Sequence, residues 1–404
     1  MIPLYDLVYG EERSGSLIAR MRRLGRSRGR IYAGYALVTL AYLGLRWLAL
    51  GSAQGLPSPA PIDNPLITLD GPWRALNAIQ VALRYLGLLL LPVNLSYDYS
   101  YNQLPLLVGL LEPRLWLVLG LCAVLLWALV LSYRVWPDLF FALAFYGVTF
   151  SVISNLVLPI GTIMAERLLY PPSVGFCLAL TLILRRGTER LPVGAGTGRA
   201  LFLGVMVLLV ALQGARTLSR NLDWKSDERL FLHDVELVPR SVKALNNAGK
   251  TLQDLGQHPA AIERFEQAIR IEPGYGVPYL NWAYSLSALG RNDEAIALLE
   301  ERARRDPPDP FLYNNLGFLL LERGRDVERG VALLERANGL RPNDADILDS
   351  LGWGYYRLGR LEHARALLQR SLALNDWSAS TPSRRDHLER IEGDLRGSGH
   401  KDER

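Results

Sequence analysis

The 404-residue chain has only two cysteines, Cys122 and Cys177, and five histidines. Both cysteines lie inside apolar segments, so no disulfide framework or zinc site can be assembled from them. The histidines, His233, His258, His363, His387 and His400, follow no ligand spacing, and no metal is expected. Lysine is scarce as well: 41 of the 45 basic residues are arginine. Acid is scarce in one half only. From Ile31 to Leu218 there are seven acidic residues, and from Arg13 to Arg30 there are seven arginines and none. Residues 1–217 carry 18 basic and 10 acidic residues, a balance of +8, whereas residues 218–404 carry 27 and 30, a balance of −3. The positive charge thus belongs to the apolar half, and a nucleic-acid partner has no patch to bind. The first thirty residues do not read as a signal peptide either, because MIPLYDLVYGEERSG has acids and no apolar core before its basic cluster.

What is present is a series of long apolar runs. Ile31 to Leu50 follows the basic arm of residues 1–30, which the positive-inside rule places in the cytoplasm. Leu115 to Ser132, Leu139 to Leu158, Leu168 to Leu184 and Ala200 to Leu218 are each near the ~20 residues a bilayer core requires. Trp73 to Val93 is ambiguous, since Arg74, Asn77, Gln80 and Arg84 share one helix face. A membrane domain over residues 31–218 with five or six spans is expected. Five crossings put the four arginines Arg185, Arg186, Arg190 and Arg199 on the same side as the arm, and everything after Leu218 outside.

Between two of these runs lies SNLVLPIGTIMAERLLYPPSVGF, Ser154 to Phe176, with Glu166, Arg167 and Tyr170 ahead of Pro171-Pro172. A charged pair wedged between membrane-length segments costs several kcal/mol unless it sits at an interface or faces a wet cavity, which marks it as functional; an ordinary polar loop is the other reading. Upstream are Asp63-Asn64-Pro65 and PVNLSYDYSYNQLP, Pro92 to Pro105, which contains Asp98. In order and spacing these three stretches resemble the transmembrane and tetratricopeptide-repeat O-mannosyltransferases, the TMTC family of lipid-linked sugar transferases with the GT-C architecture. The resemblance covers residues 1 to about 240. It implies a polyprenyl or dolichyl phosphate mannose donor, no covalently bound cofactor, and a carrier and sugar site at Arg167, Glu166, Tyr170 and Asp98. It also implies that the chain starts several spans into the family, with MIPLYDLVYG as the tail of a helix and the catalytic acidic pair upstream. No residue here is therefore assigned as catalytic.

From Val242 a fixed period of 34 takes over. Leu245, Gly249, Leu252, Gly256, Ala261, Phe265, Ala268 and Pro273 fill the tetratricopeptide pattern; Tyr279, Ala283, Leu286, Gly290, Ala295, Leu299 and Pro307 fill it again. The expected repeats are 242–275, 276–309, 310–344, with one inserted residue, and 345–378. A half repeat at 226–241 precedes them, a capping helix at Pro382 to Leu395 follows, and a disordered tail is expected from Arg396 within 382–404. Asn247, Asn281 and Asn315 recur at a spacing of 34, and an amide that both donates and accepts suits clamping of a peptide backbone; bonding of a neighbouring helix is the other reading. Tyr284, Phe318 and Trp353 occupy another equivalent position and fit either a peptide groove or packing between repeats.

The fold class expected is all-α, a multi-span transmembrane helical domain followed by a tetratricopeptide-repeat solenoid. The function implied is transfer of mannose from the membrane lipid carrier to Ser or Thr of acceptor polypeptides held by the repeats. The alternative is a membrane-anchored repeat scaffold with no chemistry. The repeats are expected on the outward side, the periplasm or the endoplasmic reticulum lumen according to the cell.

Overall fold

A computed structural model of the chain describes residues 2–10, 17–50, 60–156, 158–305, 308–324, 326–374 and 381–399. All regular secondary structure among the described residues is helical, with no strand. They form two compact units, residues 1–244 and 245–404.

In the first unit, α1 (Ile2–Tyr9) precedes α2 (Leu17–Leu50), a single helix of 34 residues. The basic arm is thus continuous with the first apolar run from residue 17: arginine and leucine are strong helix formers, and no proline interrupts. Then come α3 (Gly71–Leu90), α4 (Pro113–Val135), α5 (Pro137–Ser151), α6 (Tyr170–Glu189), α7 (Ala195–Asp223) and α8 (Asp227–Leu237). Each of α3 to α6 has a proline in its first turn, where the missing N–H is not needed. Among the described residues, four helical segments are long and apolar enough to cross a membrane: Ile18–Ala49, Pro113–Val135, Glu166–Glu189 and Ala195–Asp223. The run expected over Leu139 to Leu158 forms a helix only to Ser151. Its 15 residues rise about 22 Å, short of the ~30 Å hydrocarbon core. It stops where Ser154 turns back onto the Ser151 carbonyl and Asn155 adopts φ +59°.

In the ambiguous segment, α3, Asn77 and Gln80 of the polar face are spent on protein, whereas Arg84 is exposed. The buried Asn77 donates to the Leu107 carbonyl at 2.9 Å and accepts the Leu107 N–H at 2.7 Å, and Gln80 donates to the Pro105 carbonyl at 3.1 Å. Helices α5 and α6 meet backbone to backbone at Gly175, where a Cβ would lie 2.6 Å from the Tyr146 nitrogen and 2.7 Å from the Ala142 oxygen. Gly175→Ala must therefore push two helices apart and is expected to cost about 1–3 kcal/mol. A lowered melting temperature of the detergent-solubilised chain checks this, and an unchanged one would mean that the helices do not touch there.

The second unit stacks helical hairpins. These are α9 (Val242–Asp254) with α10 (His258–Ile271), α11 (Val277–Ala288) with α12 (Asn292–Arg305), α13 (Pro310–Arg323) with α14 (Val327–Leu340), and α15 (Ala345–Arg357) with α16 (Leu361–Leu374). Each first helix ends at a glycine with φ between +70° and +75°: Gly256, Gly290, Gly324 and Gly359. Only glycine takes that left-handed turn without strain, which explains the recurrence at 34, 34 and 35 residues. Seams close through small residues, as where Gly317 and Gly330 face each other across α13 and α14. Pro307, one of the pattern positions, lies outside the described residues. A last helix, α17 (Thr381–Gly399), seats the fully buried Ile391 on Ala364 and Leu368. It continues past the expected end at Leu395, so residues 396–399 are helical and not a disordered tail.

Candidate functional site

The three stretches that carry the family resemblance converge within the first unit. Asn64, fully buried, donates to the Asn155 side chain at 2.9 Å and to the Ile160 carbonyl at 2.7 Å, and its own oxygen accepts the Leu66 N–H in an Asx turn. Asn155 in turn donates to the Thr162 and Ile163 carbonyls. Backbone bonds finish the weave: Ile163 N–H to the Asp63 carbonyl and Tyr101 N–H to the Ile62 carbonyl, both at 2.9 Å. A proline after Asn64 fixes the turn, and short amides on both sides supply the cross-links that buried backbone groups require.

Glu166 opens the short 3₁₀ turn Glu166–Leu169 and faces inward. It accepts the Tyr99 hydroxyl at 2.6 Å and the Ser96 N–H at 2.7 Å. Burial, and then the carboxylate beside it, push the Tyr99 phenol well above its usual pKa, so it remains a donor. Directly before the turn, the Tyr85 hydroxyl accepts the Ala165 N–H at 2.7 Å and ties α3 to the same loop. Arg167, the next residue, faces solvent, and Tyr170 is 83% exposed. No carboxylate pairs with Arg167 among the described residues. The carboxyl group of the pair is thus a fixed internal strut, and the guanidinium is what the turn presents.

Asp98 is committed elsewhere. One of its oxygens accepts the Ser100 N–H at 3.1 Å and the hydroxyls of Ser100 and Ser241, each at 2.6 Å. Asp63 pairs with Lys243. Each of the two carboxylates is thus tied into the fold through one of its oxygens.

Sequence reasoning missed the most buried charge pair. Asp234 on α8, fully buried, takes both terminal nitrogens of Arg220 on α7 at 2.7 and 2.9 Å, and also accepts the Tyr97 N–H at 2.7 Å. Arg220 also reaches Asp223 at 3.1 Å. One signal was available: Asp234 stands in a helix otherwise apolar on that side, between Leu230 and Val235.

In the second unit Asn281 donates to Asn246 at 2.9 Å, and Gln253 donates to the Asn281 carbonyl and the Ser285 hydroxyl. The Asn247 oxygen lies 3.4 Å from the Asn246 amide, and Asn315 donates to the Phe311 carbonyl of its own helix at 2.8 Å. Of the three aromatic candidates, Tyr284 is 62% exposed, Phe318 is half-buried against the Leu321 cluster, and Trp353 is buried. The Trp353 ring stacks on His387 of α17 at 4.4 Å and on Tyr356 at 4.9 Å, and its N–H goes to Glu322. The capping helix therefore covers one of the three.

These units define an all-helical membrane protein whose carboxyl-terminal half is a tetratricopeptide-repeat solenoid. The chain is also TMTC-like. Residues 53–126 match the family described as Protein O-mannosyl-transferase TMTC, DUF1736, and residues 252–316 and 345–375 match tetratricopeptide repeats. Protein O-mannosyl-transferase Tmtc3 of Drosophila melanogaster is 30% identical over 241 residues, covering 58% of this chain and 25% of the fly protein. Protein O-mannosyl-transferase TMTC4 of Mus musculus is 30% identical over 246 residues, covering 57% of this chain and 31% of the mouse protein. The chain spans about a quarter to a third of the length of these curated relatives. Among solved structures, TTC0263, a thermophilic TPR protein in Thermus thermophilus, is 20% identical with a TM-score of 0.37, covering 43% of this chain and 96% of that one.

Proposed function

We propose that the protein acts in lipid-linked O-mannosylation. Mannose moves from a polyprenyl or dolichyl phosphate carrier to Ser or Thr hydroxyls of acceptor proteins, which the repeats hold. The observation that carries this reading is the turn at Glu166: its carboxylate is tied inward to Tyr99 and Ser96, so Arg167 is held out with Tyr170 beside it. A guanidinium at a membrane interface meets a phosphate through two parallel hydrogen bonds, which favours arginine over lysine there. No residue of this chain is assigned as the catalytic base.

The carrier turn and the repeats must then share the outward side. The arginines support this arrangement. Arg20 reaches the Tyr133 hydroxyl and Arg186 lies 4.6 Å over the Trp136 ring, so the basic arm and the α6–α7 loop gather at one end of α4. By the positive-inside rule that end is cytoplasmic, the opposite end of α6 with Arg167 is outward, and so is the chain after α7. A reporter fused after Asp223 is expected to be accessible from outside and one at Gly187 from inside; the reverse pattern would overturn both the topology and the transferase reading.

A further inference from the structure

The last turn of α6 and the first two turns of α7 enclose a cavity of about 650 Å³ that plays no part in the reading above. Arg185, Glu189 and Arg199 line it together with the apolar Val193, Phe202 and Leu203; on α7, Phe202 and Leu203 follow Arg199 on the same helix face, one turn further in. Arg185 donates through Nε to Glu189 at 2.8 Å, which leaves its terminal nitrogens available. Arg199 is exposed and has no carboxylate partner among the described residues. Two guanidinium groups face one carboxylate, and Arg186 and Arg190 stand in the same loop, so the cavity favours an anion. Leu203, 52% exposed, belongs to an apolar helix of membrane length, so what lies along that wall is hydrocarbon.

We infer that this cavity binds an anionic phospholipid, its headgroup phosphate on Arg185 and Arg199 and the start of an acyl chain along Phe202 and Leu203. A free phosphate would leave the apolar residues without a partner, and a zwitterionic lipid would bring its own cation against a site that already carries two guanidinium groups and one carboxylate. Basic pockets between membrane helices at the arginine-rich end select anionic headgroups on this principle. The site is separate from Arg167, which sits before the opposite end of α6.

The full chain, purified in neutral detergent, is titrated with phosphatidylglycerol, phosphatidylcholine and inorganic phosphate, and bound molecules are counted by native mass spectrometry. Phosphatidylglycerol is expected to bind most tightly. Arg185→Gln with Arg199→Gln is expected to weaken it roughly ten- to thirty-fold, at about 1 kcal/mol per basic residue near an anionic surface, leaving phosphatidylcholine unchanged. Arg185→Lys with Arg199→Lys keeps the charge and is expected to retain the preference, which separates charge recognition from misfolding. Equal affinity for the two lipids, an undiminished preference in the Gln variant, or inorganic phosphate binding as tightly as phosphatidylglycerol would each overturn the inference. Arg167→Ala is expected to leave this binding untouched, so failure here is distinguishable from failure of the carrier reading.

Discussion

Asp234→Ala is expected to destabilise the first unit by about 3–5 kcal/mol, the usual consequence of removing one member of a buried ion pair. The Arg220 side chain is 8% exposed and its fork is spent on Asp234, so truncation leaves a desolvated guanidinium with Asp223 as its remaining carboxylate, and the Tyr97 N–H loses its acceptor. The cost lies in the stranded charge, not in the pair's own net contribution. Replacing both members, Arg220→Met with Asp234→Leu, should therefore recover most of the loss. Denaturant unfolding of the solubilised chain reads both variants. A single variant within about 0.5 kcal/mol of the parent, the range of an ordinary surface change, would show that the pair is not buried as described.

Replacing Asn247, Asn281 and Asn315 together by Ala is expected to weaken binding of an extended Ser/Thr-containing peptide by roughly ten-fold to a thousand-fold, each lost hydrogen bond contributing about 0.5–1.5 kcal/mol. The three positions differ in what else they do. Asn281 holds the side chain of Asn246, which is 6% exposed, so its loss strands a buried acceptor and should lower stability by about 1–3 kcal/mol. Asn315 bonds only to its own helix and can exchange that partner for a peptide at little cost. Affinity and melting temperature measured on the same full-length variant separate the two roles. A destabilised solenoid with undiminished affinity would leave the ladder as packing alone.

The solenoid was legible because its physics is periodic. A left-handed glycine every 34 or 35 residues and an alanine or glycine at each seam are written directly in the chain. The convergence of the Asn64, Asp98 and Glu166 loops could be anticipated only through the resemblance, since Asx turns and backbone cross-links between distant loops follow no period. The division of labour within the Glu166-Arg167 pair was not legible at all: side-chain direction in a 3₁₀ turn depends on Tyr99 and Ser96, some seventy residues upstream. Trp353 shows the same limit. Its position in the repeat is equivalent to Tyr284, but α17, a polar helix, places His387 over the ring. Nor does composition reveal that an apolar run such as Leu139 to Leu158 ends as a helix at Ser151.

In the proposed function Arg167 holds the carrier phosphate. Binding of a polyprenyl phosphomannose to the full chain, compared between the parent and Arg167→Ala, tests it most directly. Losing a charge-assisted hydrogen-bond partner contributing about 1.5–3 kcal/mol should weaken binding roughly ten- to hundred-fold. Because the side chain is exposed, the melting temperature should not change. Full affinity in the Arg167→Ala protein would show that Arg167 does not hold the phosphate.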